Sequence, residues 1–163
     1  MKKWIVFLCL AVFLSGCTAP DFETVTDSPE DFTPVQPRQV IVELPEAALA
    51  VFQPSDIQCQ HIYEDFSVVL EVVSGGNLCA TLTQFTGCTP ENLVVLSTRQ
   101  AEYQRYDTVF ASAGEGCDTI GRLCVLDDGL YHYVLCIQTT ASEYLSQTEQ
   151  IEAVFASFSV APL

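Results

Sequence analysis

Eight cysteines and two histidines carry most of the chemistry this sequence offers. Six of the cysteines, Cys59, Cys79, Cys88, Cys117, Cys124 and Cys136, lie beyond the first 50 residues. An even number in an oxidising compartment permits up to three disulfides. Cys79 and Cys88 are placed to close a short loop around a helix end, and Cys124 and Cys136 flank a predicted hairpin. The alternative is a set of free thiols that pack as small hydrophobes. No cysteine pair has the short spacing that opens a zinc site, so no metal and no cofactor is expected.

Nucleophilic catalysis needs a base, and only His61 and His132 are available. There is no Gly-x-Ser-x-Gly elbow. His132 sits between Tyr131 and Tyr133 in a predicted strand and reads as a hydrogen-bonded structural histidine. It shares a strand face with Cys136, but four residues of strand separate them by about 13 Å. Another cysteine could still approach from a neighbouring strand. The acids admit a carboxylate pair as in glycosidases, yet no tryptophan follows Trp4 to form a sugar platform. Asp127-Asp128-Gly129 reads as a turn. Neither it nor Gly114-Glu115-Gly116-Cys117-Asp118 matches an EF-hand calcium loop. Gly75-Gly76 and Gly114-x-Gly116 lack the Lys and Ser/Thr of a phosphate loop. No catalytic residue is assigned. The reading is non-enzymatic, with an enzyme left open.

The strongest motif lies at the start. Lys2 and Lys3 precede an unbroken apolar run, Trp4 to Leu14, which Leu14-Ser15-Gly16-Cys17 closes. This is the layout of an export signal, and it is shorter than the roughly 20 apolar residues of a membrane span. The last four residues resemble the lipobox of bacterial lipoproteins. The resemblance implies that residues 1–16 are removed, that Cys17 takes a diacylglyceryl group on sulfur, and that the protein is anchored outside the cytoplasm to the bacterial cell membrane.

Removing the signal leaves 147 residues, enough for one domain with a real core. Both lysines leave with it. Arg38, Arg99, Arg105 and Arg122 then face 21 acidic residues, a formal side-chain charge of −17. Such a chain repels nucleic acid and bare anionic membrane, so lipid is its expected route to the bilayer.

Residues 17–38, with four prolines and several acids, read as a lipidated, extended tether. Residues 39–163 read as a single domain. Val40 to Leu44 is a predicted strand ended by Pro45. Ala48 to Phe52 could be strand or helix. Ile57 to Tyr63 and Phe66 to Val73 read as strands, the second with Phe66, Val68, Leu70 and Val72 on one face. Leu78 to Phe85 is ambiguous: its threonines favour strand, while Leu78, Leu82 and Phe85 have helical spacing. Thr89 is placed to cap a single turn that opens on Pro90. Strands are expected at Leu93 to Thr98, Glu102 to Ala113, Ile120 to Leu126 and Leu130 to Thr139, the last two joined by the Asp-Gly turn. Both faces of the last strand are apolar, which suggests a sheet covered on both sides. Thr140-Ala141-Ser142-Glu143 fits a capping box, opening an amphipathic helix of about four turns in which Tyr144, Thr148, Ile151, Phe155 and Phe158 fall at helical spacing, joined by Leu145 and Val154.

Thr86-Gly87, Tyr106-Asp107, Ala113-Gly114-Glu115, the run from Val125 to Tyr133, and the closing Phe155-Ala156-Ser157-Phe158-Ser159 together resemble small lipoproteins of anaerobic gut Firmicutes. Their domain resembles the Mog1/PsbP-like fold. The resemblance covers roughly residues 39–160. It implies an α+β domain: an antiparallel sheet with helices packed on its faces and a C-terminal amphipathic helix. Members of that fold act as protein-binding modules, but no binding residue of theirs transfers to a position here. The expected function is a cell-envelope lipoprotein with a non-enzymatic protein-binding or accessory domain and an envelope protein as partner. The alternative is a lipoprotein that binds a small ligand or calcium.

Overall fold

The computed structural model describes residues 35–114 and 117–162, and gives backbone alone for 112–114 and 117. The signal, Cys17 and the tether up to residue 34 lie outside the described residues, as does the Glu115-Gly116 turn. Gln36–Leu163 forms one compact unit. Arg38, the last residue of the expected tether, is anchored in it.

The strands that alternate most clearly in the sequence form the centre of one antiparallel sheet. Its members are β2 (Ala50–Ser55), β3 (Gln58–Ile62), β4 (Phe66–Ser74), β5 (Val95–Arg99), β6 (Gln104–Gly114), β7 (Cys117–Asp127) and β8 (Tyr131–Thr140). Their spatial order is β2-β3-β4-β8-β7-β6-β5. A separate two-stranded ribbon pairs β1 (Val40–Ile41) with β9 (Ser159–Val160). The expected strand at Val40 to Leu44 therefore shrinks to two residues, although Val42 and Leu44 still pack on the core. Of Ala48 to Phe52, the last three residues enter the edge strand β2, which tolerates Pro54 and shifts register between Phe52 and Ser55.

Both faces of the sheet are covered. On one, Val68, Leu126, Tyr133, Leu135 and Ile137 pack under Ile151, Val154, Phe155 and Phe158. On the other, Phe110, Leu123, Val125, Val134 and Cys136 pack under Leu82. Successive β8 residues alternate between these clusters, as the pleat requires.

The ambiguous segment is a helix, α1 (Leu78–Thr86). Asn77 Oδ1 caps the Ala80 amide at 3.0 Å, and Gly87 ends the helix with φ of 68°. These caps and the core-facing stripe of buried Leu82 with half-buried Leu78 and Phe85 outweigh the strand preference of the threonines. A 3₁₀ turn, Pro90–Asn92, follows. Thr89 makes no side-chain capping bond to it; Pro90 sits at its start as expected.

The C-terminal helix is divided into α2 (Ala141–Tyr144) and α3 (Thr148–Ser157). Thr140 Oγ1 accepts the Glu143 amide, as a cap should. Leu145 falls in the break and is 82% exposed, so it leaves the apolar stripe where it was expected. Gln147, at the end of the break, reaches back to Asp65 in the β3–β4 turn at 2.9 Å. No helix among the described residues is long and apolar enough to cross a membrane.

Candidate interaction site

The segment from Leu93 to Ala101 holds no acidic residue, in a chain that has 21. It contains β5, the strand at one edge of the sheet. Leu96 lies opposite Asp107 and Thr98 opposite Arg105, which puts Val94, Leu96 and Thr98 on the α3 side. The core under α3 draws on β4, β7 and β8 and on no residue of β5 or β6. The sheet thus runs out from beneath the helix. Val94 is 78% exposed, Leu96 68% and Val109 54%.

Charged side chains wall this apolar strip. Arg105 grips Asp107 with two bonds, at 2.8 and 3.1 Å. It also donates to the carbonyl of Phe155 at 3.0 Å, capping the C-terminal end of α3. Burial opposes its charge, but Asp107 and its neighbours raise its pKa further. Arg122 lies 4.4 Å over the Phe155 ring and pairs with Glu152. Val94, Leu96, Val109, Arg122, Tyr144 and Glu152 line an open groove of about 360 Å³. An apolar floor with polar walls offers area to bury and charge to orient what is buried.

A second, polar cleft of about 250 Å³ lies between the β5–β6 loop and the β7–β8 turn. Its aspartates are engaged by the hairpin, and its Glu102 by Arg38. Asp127 Oδ1 accepts the Gly129 amide, and Asp128 Oδ1 accepts those of Leu130 and Tyr131. Gly129 adopts φ of 91°, the backbone state that the Asp-Gly turn anticipates.

The cysteines do not gather into one site. Cys59, Cys79, Cys88, Cys124 and Cys136 are all free. Cys124 pairs with Leu135 and Cys136 with Leu123, so the two thiols point to opposite faces and a bridge between them is ruled out. Cys79 is exposed on α1, and Cys88 beyond it sends its amide to Thr86 Oγ1. Cys117 opens β7 opposite Gly114, and Cys17 lies outside the described residues.

Two arrangements of histidine escaped sequence reasoning. Cys59 Sγ lies 3.1 Å from His61 Nε2, on one face of β3; the signal was their spacing of two residues. Burial pushes the Cys59 pKa up, which opposes a reactive thiolate. His132 Nδ1 is 2.8 Å from Thr81 Oγ1, with Asp127 Oδ2 3.7 Å from its other nitrogen. Acid, imidazole and hydroxyl follow the order of a nucleophilic triad. However, His132 is 1% exposed and Thr81 5%, and the threonine hydroxyl also reaches the Asn77 carbonyl. The trio ties α1 to the sheet. Among the described residues, no three His, Cys, Asp or Glu side chains converge on a point.

No protein-family model matches the chain, and no curated protein matches it in sequence. Solved structures do share its fold. LpqN of Mycobacterium tuberculosis, described as involved in cell envelope biogenesis, aligns with a TM-score of 0.50 and 9% identity over 78% of this chain and 87% of its own. A protein from Bacteroides thetaiotaomicron aligns with a TM-score of 0.50 and 9% identity over 76% of this chain. This chain spans 45% of that protein's length. The Ran-binding protein Mog1p of Saccharomyces cerevisiae aligns at 0.40, with 12% identity over 66% of this chain and 81% of its own.

Proposed function

We propose that this is an envelope lipoprotein, anchored through Cys17, whose folded domain is an accessory module that binds a protein. One observation carries the reading: the exposed Val94, Leu96 and Val109, walled by Asp107, Arg122 and Glu152. Apolar side chains left open on a charged surface are the common mark of a docking site. The lipobox supports the location. LpqN, similar in fold and described as involved in envelope biogenesis, is consistent with it.

The test is crosslinking in the native cells, followed by recovery of the protein and mass spectrometry. Wild type is compared with Cys17→Ala and Leu96→Asp, and palmitate labelling reports lipidation. One protein recovered from wild type and lost with both variants supports the reading. Recovery unchanged by Leu96→Asp removes the groove from it. Absence of label from wild type removes the anchor.

A further inference from the structure

The two outer strands of the sheet are built differently. β2 carries Pro54, which has no amide to donate, and a register shift that bends it. These are the devices by which sheets stop further pairing. β5 has neither. Among the described residues it pairs with β6 alone, contains no proline, and has Arg99 as its single charge.

The register shows which of its backbone groups face outward. The Gln100 amide donates to the Tyr103 carbonyl, which closes the β5–β6 hairpin. Hydrogen-bonded pairs recur every second residue from there, so Thr98 and Leu96 turn their amides and carbonyls to β6. Val95, Ser97 and Arg99 turn theirs away from the sheet. The side chains of Val94 and Leu96 meanwhile form the floor of the groove. Outward backbone groups and exposed alternate side chains are what strand addition uses.

Charge selects the occupant. The mature chain carries −17; Glu91 and Glu102, the latter paired with Arg38, stand at either end of the acid-free edge. A second copy would bring −17 against −17. A segment with apolar residues at alternate positions and cationic flanks is drawn in by the field. We infer that β5 accepts an extended, lysine- or arginine-flanked segment of the partner as an eighth strand. This rests on the groove reading above and specifies how that groove is filled.

The probe is a synthetic decapeptide in which valine and threonine alternate between paired lysines, with a proline-centred version as control. It is titrated into the full chain in detergent. Binding is expected with the first peptide only, weakened by salt, and weakened on the order of tenfold by Ser97→Pro. That proline removes an outward amide and no bond to β6, so the melting temperature should hold. Hydrogen exchange gives a readout that needs no variant: the peptide should slow exchange at Val95, Ser97 and Arg99. Exchange there unchanged at saturation overturns the inference, as does failure of the first peptide to bind. Loss of binding with Leu96→Asp but not with Ser97→Pro overturns strand addition and leaves the groove reading standing. A chain that dimerises in sedimentation, and is made monomeric by Ser97→Pro, identifies the occupant as a second copy and also overturns it.

Discussion

Tyr133 donates its hydroxyl hydrogen to Asp128 Oδ2 at 2.8 Å and accepts the Arg38 amide at the same distance. A residue of β8 thus joins the β7–β8 turn to the segment that enters the domain. Arg38 completes the clasp by donating to the Ala161 carbonyl and pairing with Glu102.

This clasp should give acid unfolding a defined signature. Burial would raise the Asp128 pKa, but the Tyr131 and Leu130 amides, the Tyr133 hydroxyl and the Arg38 charge outweigh it and hold the pKa low. A depressed carboxylate contributes stability above its unfolded pKa, about 3.9, and loses it as pH falls through the lower folded value. Melting temperatures of wild type and Asp128→Asn should therefore differ steadily above about pH 4 and converge below it. A gap that ignores pH would contradict the shift. The opposite limb belongs to Tyr133, whose pKa is pushed up to about 12, by burial first, despite the Arg38 amide, and by Asp128 in addition. Its contribution is complete below about pH 10 and lost as pH rises from there through the folded value. Tyr133→Phe should flatten that limb.

The Thr81–His132 bond crosses from helix to sheet inside the core. Thr81→Val keeps the shape and leaves Nδ1 without the hydroxyl, at a cost of about 1–3 kcal/mol. Thr81→Ser keeps the bond and should cost less. Urea unfolding read by circular dichroism measures both: the midpoint should fall for valine with an unchanged slope. Equal midpoints would mean that the bond contributes nothing.

Gly121 on β7 lies opposite Phe110 on β6, and a Cβ there would overlap the aromatic ring. The glycine is needed for that space. Gly121→Ala should destabilise by about 1–3 kcal/mol through overpacking. Combined with Phe110→Leu, the loss should be smaller than the two single losses added, because the smaller side chain relieves the clash. Strict additivity in a double-mutant cycle would show that the ring is not what the alanine meets.

These contacts show how far the sequence could be read. Phe66 to Val73 and Tyr131 to Ile137 alternate over enough residues to reveal both faces of their strands. The caps on α1, Asn77 and Gly87, emerged with the structure; in the sequence, threonine propensity competed with the helical spacing of Leu78, Leu82 and Phe85. The Asp-Gly step located the β7–β8 turn without fixing its register, and one residue of register decides which face a side chain takes. The groove was hidden for another reason. Exposure of Leu96 depends on where α3 stops covering the sheet, which no local pattern encodes. The missing acids between Leu93 and Ala101 were the available trace.

Register also governs how the cysteines should react. Cys124 and Cys136 occupy opposite cores, and burial is the first cause raising both thiol pKa values, that of Cys136 to about 12. A thiolate is the reacting species, so neither should be alkylated in the folded protein at neutral pH. Cys79 is exposed and should react first. Pulse alkylation with iodoacetamide, read by mass spectrometry without reductant, should label Cys79 rapidly, and Cys124 and Cys136 only once denaturant unfolds the sheet. A mass showing Cys124 joined to Cys136 would require the β7–β8 register to shift by one residue. That would turn one strand's apolar residues out of their core, so such a bridge should appear only with loss of the native near-ultraviolet signal.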